Sequence, residues 1–279
     1  MPIHDQSYRR YGGNRAPQGR AWTVIATAGV KHMLRKRMFL GLLVFAWLPF
    51  VVRAVQMYLA ANIPQMSILA PTAQTFREFL EQQGLFAFFI TIFTGAGLIA
   101  NDMRANALQI YLSKPLGRME YIAGKFAVLA FFLLLVTWLP ATVLLFVQVV
   151  FAGSLEFVKT NVFLLPAIML DTGIETIVLG MVMLALSSLS KSARFVGIMY
   201  AGFVLFTQAL YGVVFVVTRN STFSWMAPQS SLQQIGDLIF RVPARYDTPG
   251  WATVLSLSVV VGAAAFLLER RVRGVEVVT

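Results

Sequence analysis

Asp171 and Glu175 are the residues whose types and spacing most resemble reactive chemistry. Positions four apart share one face of a helix, so two carboxylates here would project together. Such a pair can share a proton, bind a cation or pair with a base. Arg53 is a candidate base. It follows Pro49 by four residues, inside an otherwise apolar run. At about 1.5 Å per residue, Arg53 lies roughly 24 Å from the start of its run, Glu175 roughly 22 Å and Asp171 roughly 28 Å from the end of theirs. A charge in hydrocarbon costs about 2.5–3.5 kcal/mol on the lenient insertion scale, so pairing is the natural relief. The expectation is that Arg53 neutralises Glu175 or Asp171 and fixes helix packing. The alternatives are that the three charges line a path for a polar substrate, or that Arg53 snorkels to the surface.

Other reactive patterns dissolve on inspection. Asp171-Thr172-Gly173 matches the tripeptide of aspartic proteases, but that chemistry needs two loops in β-structure sharing one proton. Gly117 and Gly124-Lys125 have the wrong spacing for a phosphate loop, and Phe126 stands where a Ser or Thr would hold magnesium. The chain has no cysteine, and its two histidines are His4 and His32, which excludes disulfides and thiolate or histidine-cluster metal sites. The sequence offers no catalytic residue, no cofactor site and no metal site.

The elements that position these charges follow from composition. Of 279 residues, 58% are hydrophobic and 13% charged, against roughly 25% charged in soluble domains. Mean hydropathy is +0.71. So little charge cannot coat a water-exposed surface of this size, and lipid is the expected solvent. The net charge of +11 would suggest nucleic acid if it lay along one folded face. Instead the basic residues bunch between apolar runs, and no nucleic-acid partner is expected.

A membrane-crossing helix needs about 20 apolar residues. Six runs qualify: 38–60, 84–101, 125–151, 163–189, 195–217 and 251–268. The expected fold is all-α, a polytopic membrane protein of six helices. Lys and Arg near helix ends set orientation. Seventeen of the 23 lie before the first run, in the second and fourth connections, or in the C-terminal tail at 269–279. Both termini are therefore expected in the cytoplasm.

Two further segments read as non-spanning helices. Residues 21–37 carry Trp22, Ile25, Gly29 and Met33 on one face, with Lys31, Arg35 and Lys36 beside them, as in an amphipathic interfacial helix. Residues 1–20 read as a disordered basic tail without the apolar core of a cleavable signal. Of the external segments 61–83 and 218–250, the first has a helical pattern after Thr72 that ends near Gly84. In the second, Ser230 is the expected cap of a short helix.

The connection at 102–124 is the most informative stretch. It reads Ile99-Ala-Asn-Asp102-Met-Arg104, then Leu112-Ser-Lys114-Pro115-Leu-Gly-Arg118-Met-Glu120-Tyr121, then Gly124-Lys125. Pro115 disfavours helix at Lys114 and marks a turn. Asp102, Arg104, Lys114, Arg118 and Glu120 would sit at the membrane surface, either setting topology or receiving force from a soluble partner. This stretch resembles the junction between the second and third helices of ABC transporter permeases of the type-2 exporter class. There an acidic–basic pair ends the second helix, a Leu-x-x-Pro-x-x-Arg turn follows, and Gly-Lys opens the third. Asp-Met-Arg departs from the more usual Glu-Arg.

The resemblance implies a six-helix permease subunit in a plasma membrane, that of a bacterial inner membrane. It implies a second permease copy and a separate cytoplasmic ATPase subunit that holds ATP and magnesium. Asp102, Arg104, Lys114, Pro115, Arg118 and Glu120 would then couple to that ATPase, with export as the expected direction. Two other readings stay open. One is an ion-coupled secondary transporter using Asp171 and Glu175. The other is an ATP-driven mechanical transducer or scaffold acting on an external protein partner.

Overall fold

Prolines and caps decide where the apolar runs break. The structure, a computed structural model, describes residues 21–65, 70–107, 117–153 and 156–272, with the side chains of Ala21, Glu156 and Val158 excepted. Helix α1 (Ala21–Leu34) precedes α2 (Arg37–Ala46) and α3 (Leu48–Asn62). The break at Trp47 falls two residues before Pro49, which lacks an N–H and takes a first-turn position in α3. Together α2 and α3 form one span.

Helix α4 (Ala73–Gly95) begins after Thr72, whose N–H donates to Thr75 Oγ1 at 3.1 Å. It does not end near Gly84. It runs on for about three more turns, because one helical glycine costs only about 1 kcal/mol and the apolar face continues through Phe86, Ala87 and Ile90. The region read as an external helix is therefore the first part of the second span. After a short irregular stretch comes α5 (Ala100–Arg104).

Helices α6 (Arg118–Val136) and α7 (Trp138–Ala152) make the third span, broken at Thr137 just ahead of Pro140. Thr137 Oγ1 donates to Leu133 O at 2.9 Å and covers a carbonyl at the break. A short α8 (Glu156–Thr160) leads into α9 (Leu164–Ser187), the fourth span. The fifth is α10 (Ala193–Thr218). A 3-10 turn at Ser221–Met226 precedes α11 (Pro228–Ile239). The sixth span is α12 (Gly250–Arg271). The described residues contain six helices long and apolar enough to cross a membrane and no strand. The chain is an all-α polytopic membrane protein.

Ser230 does not cap α11. Ala227 holds the extended cap position and Pro228 opens the helix, where its missing N–H costs nothing. Ser230 lies inside the first turn and donates to Gln208 Oε1 on α10 at 3.2 Å.

Helix α9 is the hub. It packs against α4, α6, α11 and α12, and residues such as Ile168, Met183 and Leu184 are fully buried. One apolar cluster joins Ile99, Tyr121, Leu184, Leu268 and Val272 at the end of the bundle where α1 and the last described residues lie. We call this the terminal end. Another joins Met57, Phe76, Leu144, Leu164 and Phe240 at the opposite, distal end. Between lipid-facing helices packing depends on close approach rather than on a hydrophobic drive. Helix α1 shows this against α6: a Cβ on Gly124 would meet Ile25 and the Trp22 carbonyl, and one on Gly29 would meet Val128.

Candidate functional site

At the terminal end, α5 and α6 are tied through one carboxylate. Asp102 Oδ2 accepts from Tyr121 Oη at 2.8 Å and from Lys125 Nζ at 2.6 Å. Lys125 also stands over the Tyr121 ring at 5.4 Å from its centroid. Asp102 is thus ion-paired and half-buried. Glu120 is likewise committed: its Oε2 accepts from Gly117 N–H at 3.2 Å, closing the first turn of α6. Arg118 and Glu120 therefore belong to the third span's helix, not to a free loop. Arg104 and Arg118 are exposed. Lys114 and Pro115 lie outside the described residues.

One turn below, Ser187 of α9 repairs the irregular stretch between α4 and α5. Its Oγ donates to Ala96 O at 2.9 Å and accepts from the N–H groups of Ile99 and Ala100, each at 3.1 Å. Ser187 is fully buried, so three orphan backbone groups are satisfied by a single hydroxyl.

At the distal half lies the second cluster. Arg53 does not pair with Asp171 or Glu175. Its Nη2 is 3.2 Å from Glu78 Oε2, and its Nη1 donates to Gln56 at 3.4 Å. The reason is the longer α4, which places a carboxylate beside α3 that the sequence assigned to an external segment. The base that lines a common cavity with Asp171 and Glu175 is Arg77.

Arg77 is itself already engaged. Its Nε donates to Asp237 Oδ1 at 2.9 Å and its Nη2 to Gln233 O at 2.8 Å. A Cβ on Gly236 would run into the Arg77 guanidinium, so α11 lies flat on the arginine only because position 236 has no side chain. Arg245 extends the network, with Nη1 2.6 Å from Glu81 Oε1 and Nε 2.8 Å from Asp237 Oδ2. Its hydrogen bonds to Glu81, and after them those to Asp237, push its proton affinity above that of an ordinary arginine despite partial burial. Helices α4 and α11 and the loop before α12 are thereby held as one polar unit.

Sequence reasoning singled out Asp171, Glu175 and Asp102 and gave no role to Arg77, Asp237, Arg245 or Ser187. Arg77 had one legible signal, its place beside Phe76, Phe79 and Leu80 in a helical pattern.

Five spans beside a central sixth, ion pairs that lie at the two ends among the described residues, and a two-helix junction tied at one end define a multi-pass helical membrane protein. Residues 23–268 match the family described as ABC-2 family transporter protein, and the chain belongs to that family. It is a membrane-spanning permease of an ABC transporter. No curated protein matches significantly.

Proposed function

We propose that this chain is the permease of an ABC exporter in the bacterial inner membrane, with its terminal end in the cytoplasm. A separate ATPase subunit docks there on α1, α5 and the start of α6. The observation that carries this reading is the Asp102–Tyr121–Lys125 tie. It makes the end of the second span and the start of the third a single lever, so a push on the connection moves both. The exposed Arg104 and Arg118 supply contact charges at its rim, and the excess of Lys and Arg at this end supports the orientation. ATP and magnesium are held by the ATPase subunit.

A second permease copy completes the translocation path in this reading. Helix α10 supports it, since its outer face leaves Ile198, Leu205, Phe206, Val213 and Val216 exposed. The test is coexpression with the ATPase of the same transcription unit. A stoichiometric complex is expected, together with ATP-dependent uptake into inside-out vesicles that Arg104→Glu with Arg118→Glu abolishes. Failure of any ATPase to copurify, with flux independent of ATP, would overturn the reading. A path closed in every nucleotide state, with an external protein bound, would replace transport by mechanical work on that partner.

A further inference from the structure

Among the described residues, the cavity between α4, α9 and α11 has more carboxylates around it than basic side chains pair with. It is lined by Arg77, Glu81, Gly84, Asp171, Glu175, Gln229 and Gln233 among others. The local carboxylates are Glu81, Asp171, Glu175 and Asp237, against the two guanidiniums of Arg77 and Arg245. Those guanidiniums form ion pairs with Asp237 and Glu81. Among the described residues, neither Asp171 nor Glu175 has a hydrogen-bond or ion-pair partner, although both line the cavity and Asp171 is only 8% exposed. An unpaired carboxylate inside a span is costly and marks a functional position by default.

The space fits a small cationic group. The cavity volume is about 30 Å³, and about 10–15 Å³ suffices for one water-sized occupant. Gly84 forms part of its wall: a Cβ there would point between Glu175 Oε1 at 3.8 Å and Gln229 Nε2 at 3.9 Å. Among the described residues, no group of three or more acidic, histidine or cysteine side chains is arranged to hold a metal ion, and the Arg77 guanidinium borders the space. A hydrogen-bond donor carrying one charge suits these acceptors better than a bare metal ion.

We propose that Asp171 and Glu175 bind the protonated primary amine of a substrate, of which only the ammonium group occupies this cavity. This names a substrate class for the exporter reading and rests on it. The binding itself is tested without the ATPase, so loss of one reading is distinguishable from loss of the other.

The experiment uses the full-length chain in lipid nanodiscs without nucleotide and a fluorescent primary alkylamine as probe. Saturable binding is expected, displaced by octylamine but not by octanol or by sodium chloride at matched ionic strength. Glu175→Gln should weaken binding about tenfold or more, as loss of a charged hydrogen bond does. Gly84→Leu fills the cavity without removing a charge and should weaken it as much, while Gly84→Ala, which makes only ordinary contacts, should bind as the parent does. Unfolding temperature is followed for each variant, so that lost binding counts only in a folded protein. Equal displacement by octanol or sodium, or parental affinity in folded Glu175→Gln and Gly84→Leu, would overturn the proposal.

Discussion

Arg77 and Asp237 are 160 positions apart, yet Arg77 Nε lies 2.9 Å from Asp237 Oδ1, with side chains 5% and 1% exposed. The pair joins the second span to α11 at a point where neither charge has access to bulk water. Because Asp237 also accepts from Arg245, the carboxylate has two cations and the cap of the distal end is fixed to α4.

Removing one partner should therefore be far worse than removing both. Arg77→Gln leaves Asp237 with the peripheral Arg245, and Asp237→Asn leaves a buried guanidinium short of its carboxylate. Breaking a buried pair costs about 3–5 kcal/mol. The double replacement Arg77→Met with Asp237→Leu should recover a substantial part of that loss, because neither member of the pair is left without the other. Thermal unfolding of the purified protein in detergent measures all three, and equal losses in single and double variants would count against the pair.

Arg53 presents the opposite case. Its own side chain is 14% exposed and that of its partner Glu78 44%, so the pair is open on the carboxylate side. Exposed pairs contribute about 0–1 kcal/mol. Arg53→Gln should shift the unfolding temperature very little, and Glu78→Gln likewise. A large loss in either would show a role beyond the observed pair.

The contrast explains what the sequence made legible. Hydropathy exposed the six spans because each needs a long apolar run, and no other element in the chain imitates one. The central role of α9 was not visible, since all spans look equally apolar and only packing separates hub from rim. Depth counting put Arg53 level with Glu175 and Asp171, but depth ignores azimuth around the bundle. It also left Arg77 and Glu78 in an external segment by ending a helix at Gly84. Asp102 was singled out as part of the junction, and its hydrogen bonds turn inward to Tyr121 and Lys125. A polar residue beside a membrane can be contact or clamp, and spacing alone does not distinguish them.

Ser187 should be the most sensitive small residue at the terminal end. Ser187→Ala strips one acceptor from two backbone N–H groups and one donor from a carbonyl, all at the interruption between α4 and α5. Each buried group left unsatisfied costs about 1–3 kcal/mol. Hydrogen exchange should rise specifically at residues 99–100, with a lower unfolding temperature overall. Ser187→Thr keeps the hydroxyl and separates hydrogen bonding from the loss of packing volume.

The seat of α1 on α6 can be tested directly because the chain has no cysteine of its own. A Cβ built on Gly29 lies 3.5 Å from the Val128 Cβ, at the short end of the range of about 3.5–4.5 Å for disulfides. Gly29→Cys with Val128→Cys should cross-link rapidly under mild oxidation, and the cysteine at 128 removes the two methyl branches that would otherwise obstruct it. Either single variant should give no intramolecular bond. An α1 lying on the membrane surface away from the bundle would leave the pair reduced. If α1 moves with the ATPase, as the exporter reading requires, oxidation should suppress ATP-dependent transport and a reductant should restore it. Cross-linking without effect on transport would keep the packing but assign α1 a static role.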